Sequence, residues 1–218
     1  MKQILVYSDS LSWGIIPTTR QRLAFDERWP GILENTLTEK NYPLRVIENC
    51  LNGRRTVWDD PFKQGRNGLT GLEQVVEMHT PLALVVLMLG TNDFQSMHNH
   101  NAWHSAQGLG TLIDTIQHAA IEPCYQHPKV LMVIPPLPQQ AKANMREKFE
   151  GAENKASGLS EQYQRVAKEK NCGCFDANQH ITTSKLDGIH LDKDQHEVLA
   201  KALANFIMSD SKLLELLT

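Results

Sequence analysis

Gln3-Ile4-Leu5-Val6-Tyr7-Ser8-Asp9-Ser10-Leu11-Ser12-Trp13-Gly14 opens as an apolar, β-prone run and breaks off in small polar residues. That composition describes a buried strand, Ile4 to Tyr7, delivering its tip into a turn. Ligands of open α/β sheets bind beyond the carboxyl ends of the strands, so Ser10 on this tip is placed to meet one. By themselves Ser8, Asp9 and Ser10 read equally well as the cap of a following helix. The remainder of the chain separates the two readings.

Working outward, Leu82 to Leu89 (LALVVLML) is continuously apolar, which is the pattern of a central parallel strand covered on both faces. It too ends in small polar residues, Gly90-Thr91-Asn92-Asp93. Shorter strands are predicted at Leu44 to Glu48, Val130 to Ile134 and Gly173 to Asp176. Helical spacing of apolar residues fills the intervals, at Asp26 to Glu39, Gly71 to His79, Trp103 to Ala120, Leu159 to Glu169 and Asp192 to Met208. The last of these has an apolar stripe of Val198, Leu199, Ala202, Leu203, Phe206 and Ile207. Asp192 and Gln195 are spaced for a capping box at its start. Strand–helix alternation repeated five times implies parallel strands with right-handed crossovers. The expected fold is a three-layer α/β/α sandwich around a five-stranded parallel sheet, one domain over residues 1–218.

Composition narrows the function. The 218 residues carry a formal net charge of −3 and a pI near 6.3, which leaves no basic footprint for nucleic acid. No apolar run is long enough for a signal peptide or membrane span, so a soluble, cytoplasmic protein is expected. The four cysteines, Cys50, Cys124, Cys172 and Cys174, lack the CxxC spacing of a metal or redox site and read as reduced thiols. No Gly-x-Gly-x-x-Gly follows a strand, which argues against a dinucleotide site. There is no Gly-x-Ser-x-Gly elbow of the α/β-hydrolase type.

What remains is a set of strand tips that a parallel sheet gathers at one edge: Asp9-Ser10, Asn52-Gly53 and Gly90-Thr91-Asn92-Asp93. Ahead of the last helix stands Leu186-Asp187-Gly188-Ile189-His190-Leu191, in which Asp187 is tethered closely enough to fold back onto the His190 ring. Acyl transfer by a serine needs this combination. His190 would take the Ser10 proton through one ring nitrogen, and Asp187 would fix the tautomer through the other. The backbone N–H groups of Ser10 and Gly53 and the side-chain amide of Asn92 could form an oxyanion hole.

Taken together, Asp9-Ser10-Leu11, Gly53, Gly90-Thr91-Asn92-Asp93 and Asp187-Gly188-Ile189-His190-Leu191 resemble the four blocks of the GDSL/SGNH hydrolase superfamily, in order and across essentially the whole chain. The resemblance implies a flavodoxin-like sheet, Ser10 as nucleophile with Asp187 and His190, an oxyanion hole of Ser10, Gly53 and Asn92, and no metal or organic cofactor. Gly53 to Pro61, with Gly65-Arg66-Asn67-Gly68, looks more narrowly like the arylesterases and acyltransferases of the superfamily. This implies small, short-acyl ester substrates and a homo-oligomer. A carbohydrate O-acetyl esterase or thioesterase would use the same site, and a non-catalytic ligand-binding protein could share the scaffold.

The first block departs from the family pattern, with Ser8 where glycine is usual. A position requiring positive φ would strain serine there. Trp13, Trp58 and Phe94 are candidates for the substrate pocket. The histidines of His98-Asn99-His100-Asn101-Ala102-Trp103-His104 read as a surface loop rather than a metal site. Arg54, Arg55 and Arg66 read as loop-ordering or interface charges, and Asp93 as a local turn former. The polar stretch Gln139 to Gly158 reads as a mobile excursion or short helix.

Overall fold

A computed structural model describes residues 1–217. Five strands, β1 (Lys2–Ser8), β2 (Leu44–Cys50), β3 (Leu84–Met88), β4 (Lys129–Ile134) and β5 (Gly173–Asp176), form one all-parallel sheet in the order β2-β1-β3-β4-β5. Among the described residues eight α-helices accompany it, with short 3-10 turns between them. They are α1 (Ser10–Trp13), α2 (Trp29–Glu39), α3 (Leu72–His79), α4 (Ala102–Gln117), α5 (Ala152–Lys155), α6 (Leu159–Glu169), α7 (Lys193–Ser209) and α8 (Ser211–Leu214). Each predicted strand and helix is present, with ends displaced by a few residues.

Alternation along the strands sorts the apolar side chains into two cores. Ile4 and Val6 of β1, with Val86 and Met88 of β3, pack against Trp29, Leu33 and Leu37 of α2 and Leu199, Leu203 and Ile207 of α7. Leu5 and Tyr7, with Val85 and Leu87, meet Leu72 and Val76 of α3, Leu109 and Ile113 of α4 and Tyr163 and Val166 of α6. The chain leaves β1 toward β2 and then crosses back over β1 to β3. With right-handed crossovers, that reversal puts α2 on one face and α3, α4 and α6 on the other. It also makes the carboxyl edge between β1 and β3 the switch point where an α/β sheet opens a crevice.

Several expectations need correction. Asp192 and Gln195 form no capping box, because Asp192 Oδ1 accepts from the Ser184 hydroxyl and Gln195 Oε1 from the Thr182 N–H. Val198 lies on the exposed side of α7, and the buried stripe takes in His196, Ala200 and Ala204 instead. Of the two alternatives for Gln139 to Gly158, the short helix is present, as α5, and the stretch packs on the core. Phe149, Ala152 and Ala156 are buried in the core, and the Gln139 and Lys142 N–H groups donate to the carbonyls of Gly188 and Asp187. Among the described residues no helix is long and apolar enough to cross a membrane.

Candidate active site

The tip of β1 is shaped by Asp9, whose Oδ1 caps α1 by accepting from the Leu11 N–H at 2.9 Å. This places Ser10 in the first turn of α1, where backbone N–H groups lack helical partners. Ser8 keeps strand geometry, paired with Cys50 and Met88, so no positive φ is imposed on it. Its hydroxyl is used. Trp29 Nε1 donates to Ser12 Oγ (3.0 Å), Ser12 Oγ to Ser8 Oγ (2.6 Å), and Ser8 Oγ to the Met88 carbonyl (2.7 Å). The serine standing where glycine is usual thereby ties β1 to β3 directly beneath Ser10.

Beyond β2 the chain turns at Gly53, whose φ of +83° is in the left-handed region that favours glycine. Arg54, buried, lies over the Tyr7 ring and donates to the Ser8 and Asn49 carbonyls, joining the tips of β1 and β2. Arg55 is fully buried and donates to His98 Nε2, Asp60 Oδ2, the Gly53 carbonyl and Gln95 Oε1. Both arginines order the loop, as expected.

At the tip of β3, Gly90 has a φ of +126°, and a Cβ there would fall 2.1 Å from the Tyr163 hydroxyl. The turn that follows presents Asn92. Gln95 Nε2 donates to its Oδ1 at 2.7 Å, while its Nδ2 donates to Asp9 Oδ2 at 2.9 Å and to the Arg54 carbonyl at 3.2 Å. Asp93 is more than a local turn former. It reaches 37 residues back to the Thr56 N–H and hydroxyl, and it also accepts from the Ser105 hydroxyl.

The fourth piece is the turn before α7. Asp187 Oδ1 accepts from the N–H groups of Ile189 and His190, and Oδ2 lies 2.7 Å from His190 Nδ1. Burial pushes the Asp187 carboxyl up, but the bond from the His190 ring, its charge and the two N–H groups outweigh that and hold it below its ordinary value. Asp9 is pushed up to about 6, chiefly by burial, against the pull of the Leu11 N–H, His190, Asn92 and Arg54.

Comparison with known proteins identifies the family. Residues 9–198 match the GDSL-like lipase/acylhydrolase family. The chain belongs to that family. The hydrolase superposes on an inhibitor-bound M. smegmatis aryl esterase with a TM-score of 0.90 and 34% identity, over 96% of this chain and 99% of that one. It is similar to Est24, a carbohydrate acetylesterase from Sinorhizobium meliloti, at a TM-score of 0.89 and 32% identity, over 96% and 99% of the two chains. A lipase/acylhydrolase from Enterococcus faecalis, at 18% identity and a TM-score of 0.67, shares the fold. Comparison with curated proteins finds no match. The chain is a carboxylic ester hydrolase with the flavodoxin-like sheet of its relatives.

Of the pocket candidates, Phe94 is displaced from the hydrolase's surface. It is fully buried in the core, because the tight turn Thr91–Phe94 rotates its ring inward beneath the loop. Trp13 and Trp58 remain partly exposed, Trp13 under the Arg22 guanidinium and Trp58 against the His100 ring at 4.0 Å. The three histidines are more organised than a surface loop. His98 and His100 stack, His98 accepts from Arg55, and burial lowers His100 to about 4. Sequence reading took Arg55 only for a loop-ordering or interface charge and missed Gln95. Their only sequence signal is the apolar-poor loop around them, since their partners lie 40 and more residues apart or depend on turn geometry. Burial pushes the thiols of Cys172 and Cys174 up to about 12 and 11, so neither is an activated nucleophile.

Proposed function

We propose that this hydrolase is a serine esterase of small, short-acyl esters, acting through an acyl-enzyme on Ser10. The observation that carries the reading is the Asp187–His190 pair: the carboxylate holds Nδ1 at 2.7 Å, which orients the ring and leaves the base role to Nε2.

In the acylation step His190 Nε2 takes the Ser10 proton as Oγ bonds to the ester carbonyl carbon. Asp187 holds the Nδ1–H tautomer and stabilises the imidazolium. The tetrahedral oxyanion accepts from the Ser10 and Gly53 N–H groups and from Asn92 Nδ2, which exchanges its longer bond to the Arg54 carbonyl (3.2 Å) for the oxyanion. Collapse breaks the bond to the alcohol oxygen, which leaves with the proton from His190. Water then attacks the acyl carbon and gives its proton to His190; the bond from the acyl carbon to Ser10 Oγ breaks, the carboxylic acid leaves, and the proton from His190 restores the Ser10 hydroxyl. An alcohol in place of water would complete acyl transfer instead.

Partly exposed Trp13 and Trp58 are the aromatic surfaces available to a small acyl or aryl group. The similarity to an aryl esterase favours aryl and simple alkyl esters, and the similarity to a carbohydrate acetylesterase makes acetylated sugars the second class to assay. The test is p-nitrophenyl acetate turnover with Ser10→Ala. A burst of p-nitrophenol equal to the enzyme concentration and loss of nearly all turnover in the variant are expected. Wild-type turnover in a folded Ser10→Ala protein would remove the nucleophile assignment.

A further inference from the structure

Resting on the serine-esterase reading above, we propose that Arg55 and Gln95 are positioning residues that aim and polarise the oxyanion donors from behind. Arg55 and Gln95 are both completely buried, and neither touches the Asp9-Ser10 tip or the Asp187–His190 pair. A buried guanidinium is expensive unless its donors are used. Here the fork divides its donors among His98 Nε2 (2.8 Å), Asp60 Oδ2 (2.9 Å), the Gly53 carbonyl (3.3 Å), Gln95 Oε1 (2.6 Å) and Met97 Sδ (3.5 Å).

Two of those contacts lead to the two oxyanion donors that lie outside Ser10. The first fixes Gly53 through its own carbonyl. The second runs through Gln95, whose Nε2 donates onward to Asn92 Oδ1 at 2.7 Å. Every donor in this second path points the same way, from the cation through two amides to Asn92 Nδ2.

That common direction has two effects. It settles which end of the Asn92 amide is nitrogen, because a flipped amide would set Nδ2 against Gln95 Nε2 and Oδ1 against the Asp9 carboxylate. It also draws electron density from Asn92 Oδ1, which makes the Nδ2–H a stronger donor, as hydrogen bonds in a chain reinforce each other in a low-dielectric interior. A stronger donor matters most when full negative charge stands on the substrate oxygen, so the benefit falls on kcat rather than on KM.

The experiment measures kcat and KM with p-nitrophenyl acetate for the wild type, Gln95→Met, Asn92→Ala and the double variant. Gln95→Met is expected to lower kcat about tenfold, a fraction of the loss from deleting a whole oxyanion donor, with KM unchanged. Asn92→Ala is expected to lower it about a hundredfold, and the double variant to match Asn92→Ala within a factor of about two, since Gln95 works only through Asn92. Wild-type kcat in Gln95→Met, or losses that multiply in the double variant, would overturn the proposal while leaving the esterase reading intact. Wild-type kcat in Asn92→Ala would remove the oxyanion role of Asn92 and with it the proposal, and the esterase reading would still be decided by Ser10→Ala. Should Gln95→Met fail to fold, Gln95→Glu keeps an acceptor for Arg55 but offers no donor to Asn92. It is expected to show the same kcat loss, and wild-type kcat there would equally overturn the assignment.

Discussion

Asp9 and Asn92, 83 residues apart, meet across the junction of β1 and β3, with Asn92 Nδ2 donating to Asp9 Oδ2 at 2.9 Å in a buried contact. The switch point of the sheet is therefore closed by a carboxylate and an amide, and the Ser10 tip hangs from that contact. A buried carboxylate has a measurable cost. The rise of Asp9 from an ordinary 3.8 to about 6 corresponds to on the order of 3 kcal/mol of disfavoured ionisation in the folded protein.

The sign of the resulting pH dependence follows from proton counting. Between about pH 4 and 6 the folded protein holds a proton on Asp9 that the unfolded chain has already lost, so stability from this group falls as pH rises through that window. His196 and His100, both lowered to about 4 with burial the leading cause, act in the opposite direction. Asp9→Asn cannot ionise and leaves both histidines in place. Its stability relative to wild type is expected to improve by up to about 3 kcal/mol from pH 4 to 6.5, offset by a pH-independent loss from the altered contact to Asn92. Urea denaturation of both proteins across this range checks it, and parallel curves would contradict the buried-carboxylate account.

Ser8 supplies a second test, because the glycine usual at its position could not complete the chain from Trp29 through Ser12 to the Met88 carbonyl. Ser8→Gly leaves the Ser12 hydroxyl without its acceptor and the Met88 carbonyl without its side-chain donor. A loss of about 1–2 kcal/mol is expected, seen as a fall of a few degrees in Tm, with esterase activity retained. An unchanged Tm would mean that the chain of hydroxyls contributes nothing.

Sequence reading reached the parts of this molecule that short-range patterns encode. The apolar runs of β1 and β3 declare their burial on both faces, and Asp187 with His190 declares itself because only two residues separate them. What escaped was set by distance or by local rotation. Asp93 finds Thr56 and Ser105 only after the sheet has formed, and the path from Arg55 to Asn92 needs two loops in register. Phe94 follows a strand tip at the spacing of a pocket residue, but one tight turn sends it into the core. The polar composition of 139–158 conceals three anchors, Phe149, Ala152 and Ala156, that hold it down.

Gly188 sits where backbone strain and catalysis meet, and it can be separated from a control in the same chain. Its φ is +79°, and a Cβ there would fall 2.5 Å from the Gln140 carbonyl oxygen and 3.2 Å from that of Gln139. Gly158 has nearly the same φ, +78°, with nothing within 4 Å of the added carbon. Alanine at either position incurs the left-handed penalty of roughly 1–2 kcal/mol. Only at Gly188 must the backbone also move, and the atoms that must give way include the segment whose Gln139 and Lys142 N–H groups are bonded to the carbonyls of Gly188 and Asp187. Such a shift rotates the Asp187 carboxylate away from the His190 ring, where misplacement of about 1 Å costs on the order of a hundredfold in rate. Gly158→Ala is thus expected to lose a few degrees of Tm and keep its kcat. Gly188→Ala should lose more stability and about two orders of magnitude in kcat with p-nitrophenyl acetate. Equal kcat in the two variants would show that the Gly188 turn is not what holds the carboxylate on the imidazole.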